Sequence, residues 1–185
     1  MRDQDRYDSL IQWAWENAAH AYQFDQSVDW RLVKCQIRAE SGFRPEAVSP
    51  SGARGVLQIM PGTWGEGFEA DAFNPEKNIK KGVDYLGRLW AMFKEEQGVE
   101  KWCYALSSFN AGPGNIIKSQ AFLKARGKPT TQWRWIKEVL HHFTGNKNAQ
   151  ETTIYVDKII RDYVRETGLS GFLDILSPAL YDERL

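Results

Sequence analysis

At 185 residues the chain is long enough for one domain with a sizeable core, and its 42% hydrophobic and 26% charged residues describe a globular protein rather than a disordered one. Lysine plus arginine number 24, as do aspartate plus glutamate, so the formal net charge is zero. A nucleic-acid binder needs surplus cations to displace counterions from phosphates, and that class is set aside. Two cysteines without a CxxC or Cys/His pattern offer no zinc site; Cys35 and Cys103 read as buried thiols, with a disulfide between them left open.

Residues 1–20 mix acidic side chains with Trp-Glu-Asn and hold no long apolar run, which predicts neither a signal peptide nor a membrane span. Across 5–24, Leu10, Ile11, Ala14, Ala18 and Ala21 recur near the helical period and predict an amphipathic helix. Ser27 and Asp29 offer caps for a second helix over 30–41, in which Val33, Ile37 and Glu40 share a face. Turn residues dominate 42–56: Gly42, Pro45, Ser49-Pro50-Ser51-Gly52 and Gly55. A short helix is expected over 53–60, stopped by Pro61. Residues 65–77 read as irregular, with a turn at Asn74-Pro75, and 62–76 leave room for small strands. A long helix follows over 77–97 through Ile79, Val83, Leu86, Leu89, Trp90 and Phe93. Another spans 99–110 and ends at Ala111-Gly112-Pro113-Gly114. Further helices are predicted over 113–125, 130–143 and 151–167. The tail from Leu169 is apolar enough to dock on the rest. No alternating strand pattern or repeat appears, so the expected fold is mainly α with little or no β, and 1–185 form a single domain.

Chemistry concentrates in Glu40 to Trp64. Glu40 stands where a helix gives way to Ser41-Gly42, and its face predicts partial shelter from water. Burial disfavours a charged carboxylate, so a glutamate in such a place can hold a proton and deliver it. Ser41 can hydrogen-bond that carboxylate or cap the turn. Gln58 offers a donor and an acceptor, as sugar hydroxyls and N-acetyl groups require. Eight tryptophans are mostly expected in a helical core; Trp64, beside the motif, is the candidate to stack on a flat sugar face. Glu66 and Asp71 read as solvated loop charges.

Four blocks lie in the order of one family. AESGFRPEAVSPSGARGVLQIMPGTW at 39–64, NPEKNIKKGVDYLGRL at 74–89, YALSSFNAGPGNI at 104–116 and ETTIYVDKI at 151–159 resemble the signatures of soluble lytic transglycosylases. These have a goose-lysozyme-like helical fold with a substrate cleft. The resemblance covers about residues 28–165. It implies that Glu40 is the general acid and base and that Ser41 positions substrate or carboxylate. It further implies that Gln58 and Met60 meet the sugar at the cleavage site, that Asn110 and Gly112 shape the cleft wall, that Glu151 anchors the cleft or contacts substrate, and that Tyr155 approaches Glu40 and the muramoyl ring. Phe109 replaces a common tyrosine, and Val56-Leu57 a common Leu-Met.

The resemblance implies a lyase that needs no metal and no cofactor. One glutamate protonates the glycosidic oxygen between N-acetylmuramic acid and N-acetylglucosamine, then accepts a proton from the muramoyl O6 hydroxyl as a 1,6-anhydro ring closes. The rivals are a muramidase of the same fold, which lets water attack, and a non-catalytic wall-binding or virion module. The expected partner is peptidoglycan glycan, without nucleic acid or membrane insertion. Without a signal peptide, action on the cell wall implies a phage protein released with a holin or carried in a virion, or a processed or truncated form.

Overall fold

The computed structural model describes residues 5–169. The chain divides at Arg88/Leu89 into two compact units. The docking expected of the tail falls on residues 170–185, outside the described residues.

In the first unit α1 (Asp8–Tyr22) and α2 (Arg31–Glu40) pack together through Ile11, Ala14, Trp15, Ala18, Leu32, Val33 and Ile37, all buried. The α2 start follows from Asp29, whose carboxylate accepts from the Arg31 N–H at 2.9 Å. Ser27 instead donates its hydroxyl to Asp25. Two four-residue helices follow, α3 (Pro61–Trp64) and α4 (Phe68–Asp71), and then α5 (Pro75–Met92), which carries the chain past the division. Asn74 caps α5 by accepting from the Lys77 N–H at 3.0 Å, with Pro75 at the first helical position where its missing N–H costs nothing.

Three expectations fail here. Residues 53–60 are not helical: Arg54 makes isolated antiparallel bridges with Val48 and Ile59. Pro61 starts α3 rather than stopping a helix, which is the asymmetry proline favours. Residues 62–76 carry α3 and α4, and the strand-like pairing lies earlier, between 48 and 59.

In the second unit α6 (Gly98–Ala111) buries nearly all of its circumference, from Trp102 through Ser108. α7 (Pro113–Lys124) and α10 (Asn146–Thr167) pack on it. Gly112, at φ 83, turns the chain between α6 and Pro113. The helix expected over 130–143 is two pieces, α8 (Trp133–Val139) and α9 (His141–Thr144), divided at Leu140. Trp102, Tyr104, Ile116, Trp133, Ile136, Val156 and Tyr163 form this core. Cys35 and Cys103 are buried thiols, one in each unit, and burial pushes the Cys103 thiol well up. Among the described residues there is no strand, and no helix is long and apolar enough to cross a membrane.

Candidate functional site

Glu40 is the last residue of α2 and is half-buried. The chain leaves the helix through Ser41, whose hydroxyl is buried and donates to the Val56 carbonyl at 2.8 Å. That bond joins the helix end carrying Glu40 to the far side of the loop. Gly42 at φ 60 and Phe43 at φ 68 then turn the chain in the left-handed region. For a non-glycine residue such a backbone is strained, and burial of the Phe43 ring, 3% exposed, holds it there.

The loop closes on itself. Gly52 donates its N–H to the Ser49 carbonyl across the Pro50-Ser51 turn at 2.9 Å, and Gly55 donates to Ala47 at 3.0 Å. Gly55 must be glycine twice over: its φ is 79, and an added Cβ would lie 2.2 Å from the Asn78 amide nitrogen and 2.4 Å from the Ala72 carbonyl. Gln58, at φ 45, donates both amide hydrogens to loop carbonyls, Ala47 at 2.9 Å and Gly55 at 2.8 Å. Its Oε1 is left as an acceptor. Gln58 was expected to present a donor as well; the loop claims it.

Glu40, Arg44, Glu46, Val48, Ser49 and Gln58 line one cavity of about 480 Å³. The sequence-predicted Glu40 and Gln58 thus meet in one hollow, with Ser41 behind it. Arg44 and Glu46 were missed. Their only signal was charge within a turn-rich stretch, where exposed charges are ordinary. Asn78 was missed too: buried on α5, it accepts from the Leu57 N–H at 2.8 Å and donates to the Arg54 and Ala72 carbonyls at 3.0 and 2.9 Å.

The other predicted residues are not among those that line this cavity. Met60 is 41% exposed, so it is no core methionine, and it does not line the cavity. Trp64 is corrected: it is 7% exposed and packs edge-on against Phe68 at 6.2 Å, so its ring has no face open to a sugar. The exposed tryptophan is Trp13 on α1, beneath the Lys80 ammonium. Asp71 pairs with Lys77 at 2.6 Å, and neither it nor Glu66 lines the cavity. Asn110, Glu151 and Tyr155 belong to the second unit. Asn110 accepts from the Thr152 hydroxyl at 2.7 Å, which fixes it beside the α10 turn bearing Glu151 and Tyr155. Glu151 is exposed and Tyr155 buried. Thr152, the buried link, gave no signal of its own. Among the described residues no group of three or more His, Cys, Asp or Glu side chains gathers to hold a metal ion.

The sequence model of the transglycosylase SLT domain matches residues 16–131. The chain is 29% identical over 167 residues to membrane-bound lytic murein transglycosylase F of Vibrio parahaemolyticus, covering 84% of this chain and 31% of the relative. It is 30% identical over 174 residues to the protein of that name in Vibrio cholerae, covering 88% and 32%. The chain therefore spans about a third of these relatives' length. Among solved structures, the 70 kDa soluble lytic transglycosylase of Escherichia coli matches with a TM-score of 0.57 at 21% identity, covering 85% of this chain and 24% of that one. The lysozyme-like helical fold is the shared feature.

Proposed function

We propose, because the chain belongs to the transglycosylase SLT domain family, that it is a peptidoglycan lytic transglycosylase. It cleaves the β-1,4 bond between N-acetylmuramic acid and N-acetylglucosamine and leaves a 1,6-anhydromuramoyl end. The observation that carries this reading is a cavity lined by both Glu40 and Gln58, inside the motif that resembles the family's catalytic signature.

Protonated Glu40 gives its proton to the glycosidic oxygen as the C1–O bond breaks. The substrate's 2-acetamido group stabilises the positive charge developing at C1. Glu40, now a carboxylate, takes the proton from the O6 hydroxyl while O6 bonds to C1, and the enzyme is restored. Gln58 Oε1 accepts a hydrogen bond from a sugar N–H or O–H, its amide being held by Ala47 and Gly55. Ser41 holds the Glu40 helix end against Val56. Contacts of Met60, Asn110, Glu151 and Tyr155 with the glycan rest on the motif resemblance. On this reading the place of action is the cell wall, reached with a holin or virion partner if the protein is phage-encoded.

A second reading draws on Glu46, a further carboxylate on the cavity wall. Glycoside hydrolysis pairs an acid with a carboxylate that activates water. A muramidase would use Glu46 so and release reducing ends. Against both readings, a non-catalytic module predicts no soluble product.

Removing a positioned general acid costs about 10²–10⁴-fold in rate. Glu40→Gln is accordingly predicted to lower release of soluble muropeptides from purified sacculi by that amount while the protein still co-sediments with them. Wild-type release rates in the variant would reject Glu40 as the proton donor.

A further inference from the structure

Arg44 carries a charge on the cavity wall that the proposed reaction does not use. Its Nε donates to the Ser41 carbonyl at 2.9 Å, which fixes the base of the guanidinium to the residue after Glu40. Among the described residues its terminal nitrogens meet no carboxylate; Glu46, on the same wall, makes no ion pair with it. An arginine has no acceptor and does not lose its proton, so Arg44 is no acid or base for the reaction. With Nε held, the terminal nitrogens still present parallel donors, the arrangement that a carboxylate accepts with both oxygens. A side chain anchored at one end loses less freedom when a ligand orders the rest.

The glycan of the proposed substrate has neutral hydroxyls and acetamides. Its anions sit on the lactyl substituent of the muramoyl residue. A bare lactyl group ends in its own carboxylate; one bearing a stem peptide carries the peptide's carboxylates instead. The wall that receives such a group has one cation, Arg44, between two acidic positions, Glu40 and Glu46. On that wall a carboxylate is attracted by Arg44 and repelled by Glu46, and no other lining residue is a cation. We propose that Arg44 is an anion subsite of the cavity, which binds a carboxylate of the muramoyl substituent and so sets the muramoyl ring beside Glu40. The proposal rests on the glycan-cleavage reading. It adds that the chain selects walls by their acidic substituents and orients the sugar through them. Because Arg44 is exposed, the selection weakens as salt rises.

The test compares wild-type, Arg44→Gln and Arg44→Lys proteins on three walls: intact sacculi, sacculi stripped of stem peptides by an amidase, and sacculi whose carboxyls are converted to amides with carbodiimide and ammonia. Fragment release gives kcat and KM, and co-sedimentation gives binding. Arg44→Gln is expected to lower kcat/KM on intact sacculi about tenfold, mostly through KM, as loss of one charge-assisted pair implies, and Arg44→Lys to recover part of it. On amidated sacculi the wild type falls to the level of Arg44→Gln, and the substitution changes nothing further. An Arg44→Gln effect that persists on stripped glycan assigns the lactyl carboxylate; one that vanishes there assigns the stem peptide. Equal losses on intact and amidated walls would mean that Arg44 acts only through the Ser41 loop, and would overturn the proposal, as would no loss on any wall. Should Arg44→Gln not fold, the wild type alone decides: indifference to amidation overturns the subsite. Binding separates this proposal from the reaction itself. A wild type that prefers carboxylate-bearing walls but releases nothing keeps the subsite and rejects the transglycosylase.

Discussion

Gln58 sits in the left-handed region at φ 45, a conformation that costs a side-chain-bearing residue roughly 1–2 kcal/mol, and two hydrogen bonds to the loop hold it there. The strain falls beside Glu40, where a fixed acceptor has a use. A different residue sets a pH dependence. Burial raises the Glu100 carboxyl above its ordinary range, against the lowering effects of the Trp133 N–H and of Arg134 and Lys137. Burial raises Glu96 in the same direction. The folded chain therefore keeps these protons to higher pH than the unfolded chain does. Their stabilising contribution is full below the ordinary glutamate range and is lost as pH rises through the raised values. Glu100→Gln removes one such group while its side-chain carbonyl still accepts from the Trp133 N–H. Its melting temperature is predicted to fall less than that of the wild type between about pH 4 and pH 7. Thermal melts across that range check this; parallel curves would refute it. Glu40 and Gln58 were legible in sequence because a lone carboxylate at a helix end and an amide after paired glycines are unusual together. Arg44 and Glu46 were not, since a charge in a turn has no signature until the loop's closure shows which way the wall faces.

The loop from Ser41 to Met60 shows why the helices were easier to read than the connection between them. α2, α6 and α10 declare themselves through apolar spacing, which is local. The run Val56-Leu57-Gln58-Ile59 imitates a helical turn, but its partners are distant. Asn78 on α5 captures the Leu57 N–H and the Arg54 carbonyl, and Arg54 bridges Ile59. Arg54 also stacks on Phe68 and Phe73 and pairs with Glu69 at 2.5 Å, fastening the loop to α4. Gly82 on α5 lets Leu57 in; a Cβ there would stand 2.4 Å from its Cδ1. Trp64 was misread for the same reason: Phe68, which covers it, lies on a helix too short to show a period. Asn78→Ala would leave two buried backbone groups, the Leu57 N–H and the Ala72 carbonyl, without partners, while the Arg54 carbonyl keeps the Ile59 N–H. At about 1–3 kcal/mol for each buried orphan, the predicted loss of stability is at least about 2 kcal/mol in denaturant unfolding, with loss of wall-lytic activity beyond what stability explains. A loss below about 1 kcal/mol would show that the loop holds its shape without Asn78.

Over the whole chain, the family match runs from α1 into the segment before α8, and the relatives extend to about three times its length. The chemistry proposed here is assigned to this chain and is tested on it. It places a single proton donor at a helix end, with no carboxylate required to activate water. The deciding measurement is mass spectrometry of the soluble muropeptides that wild-type protein releases from purified sacculi, with Glu40→Gln protein alongside. Products ending in 1,6-anhydromuramoyl residues, absent with Glu40→Gln, are the expected result. Reducing-end products heavier by one water would contradict the ring-closing reaction, and anhydro products undiminished in Glu40→Gln would contradict the role of Glu40.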